Sequence, residues 1–229
     1  MNILRTPVFR RICRTEVLLC LVMLLLPLGL LLRQRLHTAE PARSFLMPGA
    51  AVITTLRLLL MLSLANSLAE AAAADSAFHR AKNWCLMQSV TEAGALLLNV
   101  TLVVLHTQRE NGAVPRFLLM AGCYLCYVFV LQLFDYLSNR NLMLGLRSVW
   151  RLCGGDASLE RQLRLTHVLL ILSCVLFVPL YMTYSMRDIT LRPLVWAIAL
   201  CAMSMIVIVQ LRIALHARKT AVLLAALSE

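Results

Sequence analysis

Six apolar runs, separated by polar stretches rich in arginine, dominate the chain. A helix crossing a bilayer needs about 20 mostly apolar residues. The first run, Val17–Leu32, is short but almost purely aliphatic, and Pro27 is expected to bend it. Gly49–Ala74 is interrupted by Arg57, Leu86–Leu105 carries Glu92 and Asn99, and Phe117–Leu137 ends near Asp135. Leu165–Ser185 contains Pro179, and Pro193–Leu211 is the cleanest of the six. No alternation of period two competes with these helices, and no internal repeat or long linker interrupts them.

The pattern predicts an all-α fold: a polytopic membrane helix bundle of four to six hydrophobic helices plus amphipathic interfacial helices. One integral membrane domain is expected over 1–229, with a basic N-terminal segment at 1–16 and an amphipathic connecting segment at 138–164. Arg33-Gln34-Arg35 follows the first run in place of a small-residue cleavage site, so a retained anchor is expected rather than a cleaved signal. Composition points the same way. The chain of 229 residues is 61% hydrophobic and 14% charged, with mean hydropathy +0.80. A soluble domain has about 45–50% apolar and about 25% charged residues, so this chain is too apolar for a soluble enzyme or a disordered segment.

Charge is lopsided, with 22 Lys+Arg against 11 Asp+Glu and a net charge of +11. The arginines flank apolar runs and form no basic domain, which favours anionic headgroups over nucleic acid as the partner. With six spans, one side collects Arg5, Arg10, Arg11, Arg14, Arg80, Lys82, Arg140, Arg147, Arg151, Arg161, Arg164, Arg212, Arg218 and Lys219. The other holds half as many: Arg33, Arg35, Arg43, Arg109, Arg116, Arg187 and Arg192. Basic residues favour the cytosolic side, so both termini are expected there.

Two stretches are amphipathic. In Arg140–Cys153, the residues Arg140, Arg147 and Arg151 share a narrow arc, and Leu142, Met143, Leu146, Val149, Trp150, Leu152 and Cys153 cover the other side. This describes a helix lying in the bilayer interface or equally a loop helix packed on the bundle, ended by Gly154 and Gly155. In Pro7–Arg14, Val8, Phe9 and Ile12 oppose Arg10, Arg11 and Arg14. Two turns do not hold a helix alone in water, so the stretch is either a membrane-bound helix or a basic tail that sets orientation.

Polar groups inside apolar runs are candidates for function. Arg57 and Asn99 fall at similar depth, and Glu92 lies nearer the inner side, so an Arg57–Asn99 or Arg57–Glu92 contact would lower the burial cost. The arrangement fits a substrate or proton site. It also fits a snorkelling arginine or a polar clamp between helices. Asn99-Val100-Thr101 matches a glycosylation sequon but lies in an apolar run, out of reach of an acceptor enzyme. Cys123-Tyr124-Leu125-Cys126 has neither a second pair nor a basic neighbour, and reads as core rather than redox chemistry. The five histidines are scattered, with no pair at ligand spacing. No P-loop, G-x-S-x-G, H-E-x-x-H or paired-carboxylate constellation is present. No catalytic residues, cofactor or metal are therefore expected, and the chain is read as non-enzymatic.

Tyr127–Leu146, an apolar run with Asp135, a Leu-rich stretch and Gly145-Leu146, resembles the middle region of the peroxin-eleven family. This family elongates and proliferates peroxisomes and has relatives in the glycosome membrane. Arg14-Thr15-Glu16 stands where the family has a Gly-Arg-Asp-Lys-like element, without the Gly or Lys, and an apolar segment with one basic residue, Leu56–Leu68, precedes the match. The resemblance implies a peroxisomal or glycosomal membrane protein that bends its bilayer by inserting amphipathic helices. Arg10, Arg11, Arg14, Arg140, Arg147, Trp150 and Arg151 would then lie at the membrane interface, alone or in a homo-oligomer. Two other readings stand beside it. One is a small transporter or channel component built on Arg57, Glu92 and Asn99. The other is an accessory subunit of a larger complex, with Arg57 or Asp135 paired to a partner chain.

Overall fold

The computed structural model describes residues 6–35, 40–107, 114–154, 157–184 and 192–227; the side chains at 26–51, 98–128, 176–196, 198–200 and 202–203, and at 95, 157 and 159, fall outside that description. Among the described residues six helices follow one another: α1 Thr6–Arg35, α2 Glu40–Ala71, α3 Ser76–Thr107, α4 Val114–Leu152, α5 Ala157–Tyr184 and α6 Arg192–Ala226. Among the described residues there is no strand. One stretch of them, Val52–Ala71 in α2, is long and apolar enough to cross a membrane. It is the segment that Arg57 interrupts.

Helix starts follow local chemistry. Pro7, Pro41, Pro115 and Pro193 each stand second in a helix, where a missing N–H costs nothing. At the head of α3, Asp75 Oδ1 accepts a hydrogen bond from Ala77 N–H at 2.6 Å. At the end of α4, Gly154 takes a positive φ of 72°, and its N–H reaches the Arg151 carbonyl. Glycine adopts that left-handed conformation without a Cβ penalty.

Two expectations about boundaries change. The basic N-terminal segment is the opening of α1 itself, because Pro7–Arg14 joins the first apolar run with no breaker between them. The connecting segment at 138–164 is mostly helix: α4 runs unbroken from the fourth apolar run to Leu152. Nothing in 138–152 stops it, since Gly145 lacks only a side chain and the other residues propagate a helix.

Consecutive helices pack side by side, α1 also packs on α6, and α4 touches α6 across the ring. The result is a closed up-and-down ring. The end that carries the start of α1 and the end of α6 also carries the α2–α3 and α4–α5 turns. Its core contains Phe9, Ile12, Leu68, Phe78, Leu142, Leu146, Val149, Ile213 and Ala217, all essentially buried. The Phe9 and Phe78 rings meet edge-on at 5.9 Å. Gly145 makes room for Phe78: a Cβ at position 145 would fall 2.7 Å from its ring.

Candidate functional site

The interior of the ring holds a polar cluster drawn from three helices, with a further carboxylate on a fourth. Arg57 projects from α2. Its Nε lies 3.0 Å from Glu92 Oε1 on α3, and its Nη2 lies 3.8 Å from Asp135 Oδ1 on α4. Two amides complete the shell of Asp135. Gln88 Nε2 donates to Oδ1 and Asn139 Nδ2 donates to Oδ2, each at 3.2 Å. Gln88 and Glu92 are four residues apart on α3, as are Asp135 and Asn139 on α4, so each pair shares one helix face. The Arg57–Glu92 approach is not aligned as a hydrogen bond, and both Glu92 oxygens keep free lone pairs. Glu16 of α1 is fully buried, and neither of its carboxylate oxygens has a hydrogen-bond partner.

Two buried carboxylates, Glu92 and Asp135, thus face one guanidinium, and Glu16 is buried with no cation paired to it among the described residues. If all were ionised, the interior would hold uncompensated negative charge, which is costly away from water. Protons or a cation must make up the difference. Among the described residues no three His, Cys, Asp or Glu side chains converge as a metal-ligand set.

Of the two contacts that the spacing allowed Arg57, the structure contains the one to Glu92. The Asn99 side chain lies outside the described residues, as do those of Cys123 and Cys126. Arg57 and Asp135, considered above as groups seeking a partner chain, are paired with each other inside this one.

The residues expected at the membrane interface divide. Arg10, Arg14 and Arg140 are exposed. Arg11 forms a two-pronged ion pair with Glu70 of α2. Arg147 and Arg151, together with Arg164, converge on Glu160 and tie α4 to α5. Trp150 does not lie at an interface. It is buried, and its Nε1–H donates to Thr220 on α6. Most of the apolar face of each amphipathic stretch is core, Val8, Phe9 and Ile12 in one and Leu142, Met143, Leu146 and Val149 in the other, while Leu152 is exposed. The same periodicity serves burial against lipid or against helices, and here neighbouring helices occupy those faces.

Beside Trp150 lies a second polar set. His216 Nε2 is 3.0 Å from Thr166 Oγ1, which also accepts from Arg212 Nε at 2.9 Å. The Thr166 hydroxyl proton points to the Gln162 carbonyl, so the network assigns the histidine proton to Nε2. Burial, reinforced by Arg212 and Lys219, pushes the His216 pKa down to about 4.

Glu16, Gln88 and Asn139 escaped sequence reasoning. The four-residue spacing of Gln88 with Glu92 and of Asp135 with Asn139 was the available signal. Glu16 fell within the basic N-terminal segment at 1–16, ahead of the first apolar run.

No described protein family, curated protein or solved structure matches the chain. Fold and site therefore define the class: an all-α ring of six helices enclosing a charge-unbalanced polar cluster.

Proposed function

We propose that the chain is a multi-pass integral membrane protein, a small transporter or channel component that moves protons through the Arg57–Glu92–Asp135 cluster. The carrying observation is the placement of Arg57 between two buried carboxylates at unequal distances, 3.0 Å and 3.8 Å. Protonation of Glu92 removes the attraction at the shorter distance and releases the guanidinium toward Asp135. Loss of that proton draws it back. Each proton bound or released thus moves a charged side chain between α3 and α4, the kind of two-state element that couples a titration to helix movement.

Membrane insertion is supported by the outward faces. Leu21, Leu59, Val90, Phe129, Val168 and Ile208 are large apolar side chains exposed on six different helices. Water does not tolerate so extended a belt on a soluble protein, whereas lipid does. Membrane bending by helix insertion would need the apolar faces of Pro7–Arg14 and Arg140–Cys153 to leave the core, and this weighs against it.

The test is proton flux into proteoliposomes containing the purified chain and a trapped pH dye, driven by a potassium diffusion potential. Dissipation is expected with the unaltered chain and is expected to be lost in Glu92→Gln. Equal flux in the two would sink the transport reading. Release of the chain from membranes by alkaline carbonate would sink the membrane reading beneath it.

A further inference from the structure

At the end of the ring that carries the termini, a cleft of about 240 Å³ opens between α1 and α6. Its walls are Arg10, Cys13 and Arg14 from α1, with Arg218, Ala221 and Val222 from α6. Arg10, Arg14 and Arg218 are exposed, and among the described residues none of them has a carboxylate partner. Their neighbours are otherwise: Arg11 is held by Glu70, and Arg147, Arg151 and Arg164 share Glu160. Glu16, the acidic residue nearest to them on α1, is turned into the core. The cleft therefore gathers unpaired guanidinium groups whose forked N–H donors match the oxygens of a phosphate.

What leads away from the cleft is apolar. At about 100° per residue, Arg10 and Arg14 share a helix face with Val17, Leu18, Leu21 and Leu25. All four apolar residues are exposed, and Leu21 is 53% accessible. The strip borders a second cleft of about 600 Å³ between α1 and α2, lined by leucines and Val22. From Arg14 to Leu25 is eleven residues, roughly 16 Å along the helix. This is close to one leaflet of a hydrocarbon core about 30 Å thick. A phosphate site on the same helix face as an exposed apolar strip one leaflet long has the form of a bound lipid, not of a free anion.

We propose that Arg10, Arg14 and Arg218 hold the headgroup phosphate of an anionic glycerophospholipid, whose acyl chains lie along the Val17–Leu21 strip of α1. The lipid belongs to the leaflet facing the termini and bridges the first and last helices where they close the ring. The site depends on membrane insertion of the chain, and it stands whether or not the chain transports protons.

The test uses the full chain purified in a non-ionic detergent, with bound lipid counted by native mass spectrometry. Dioleoyl phosphatidylglycerol is expected to bind saturably, ahead of dioleoyl phosphatidylcholine, with inorganic phosphate at the same concentration a poor competitor. Arg14→Gln with Arg218→Gln is expected to weaken phosphatidylglycerol binding roughly thirtyfold, at about 1 kcal/mol for each arginine removed. Arg140→Gln with Arg161→Gln, the same loss of charge elsewhere on that end, is expected to leave it unchanged. Arg14→Lys with Arg218→Lys keeps the charge but not the fork, and guards against misfolding by restoring part of the affinity. Equal weakening by both glutamine pairs would overturn the site as non-specific attraction. So would equal binding of phosphatidylcholine. Full competition by inorganic phosphate would overturn the lipid assignment. Alkaline extraction of the chain from membranes separates failure of the membrane reading from failure of the site.

Discussion

Arg57 and Glu92, on neighbouring helices, meet at 3.0 Å inside the ring. Removing one member of such a buried pair strands the other, which typically costs about 3–5 kcal/mol, whereas replacing both with apolar residues is often neutral. Arg57→Met is therefore expected to destabilise the detergent-solubilised chain by about that amount. Arg57→Met combined with Glu92→Met and Asp135→Asn is expected to recover most of the loss. Thermal unfolding of the two proteins tests this. A combined variant no more stable than Arg57→Met would show that the pairing is not what burial depends on.

Phe78 and Gly145 share a space that fits only one of their side chains beyond the backbone. In Gly145→Ala the new methyl would meet the Phe78 ring at 2.7 Å. Overpacking of this kind costs about 1–3 kcal/mol. Phe78→Leu introduced with it is expected to relieve part of the cost, and urea or thermal unfolding reads both. A fully stable Gly145→Ala protein would mean that α3 and α4 are not this close.

His216 makes the terminus end of the ring sensitive to acid. Its folded pKa is depressed to about 4, against about 6.5 in an unfolded chain. The unfolded state therefore takes up the proton first as pH falls. The contribution of the neutral histidine is complete above about pH 6.5 and is lost progressively down to about pH 4, by roughly 3 kcal/mol in all. His216→Gln is expected to flatten the stability profile in that window. An unchanged slope would assign acid sensitivity to other groups.

Trp150 is covered by helices rather than by lipid headgroups. In a variant retaining Trp150 as its single tryptophan, brominated phospholipids are expected to quench little of the fluorescence. Trp150→Phe is expected to cost about 1 kcal/mol, the usual net value of a hydrogen bond such as the one to Thr220. Strong quenching would return Trp150 to the interface.

Much of the helical architecture is legible in the chain itself. Runs of about 20 apolar residues permit little but helix, and Gly154 and Gly155 mark the end of the amphipathic stretch that closes α4. Arg57 and Glu92 stood out because charge inside an apolar run is rare. Glu16 did not, since it falls in the basic N-terminal segment at 1–16, ahead of the first apolar run. Only the packing of α1 on α2 and α6 turns its carboxylate inward.

The sequence alone determined an all-α fold of four to six hydrophobic helices, their apolar faces and the excess of arginine at one end, because periodicity and composition act locally along the chain. It left open what each apolar face would cover. Tertiary structure decided that: Val8, Phe9, Ile12 and Trp150 close on other helices, while Leu21 and Val90 remain outside. It also decided which carboxylate Arg57 would meet. A helix face states only that it avoids water. Which surface replaces the water depends on the neighbours that the ring brings to it, and no local pattern encodes them.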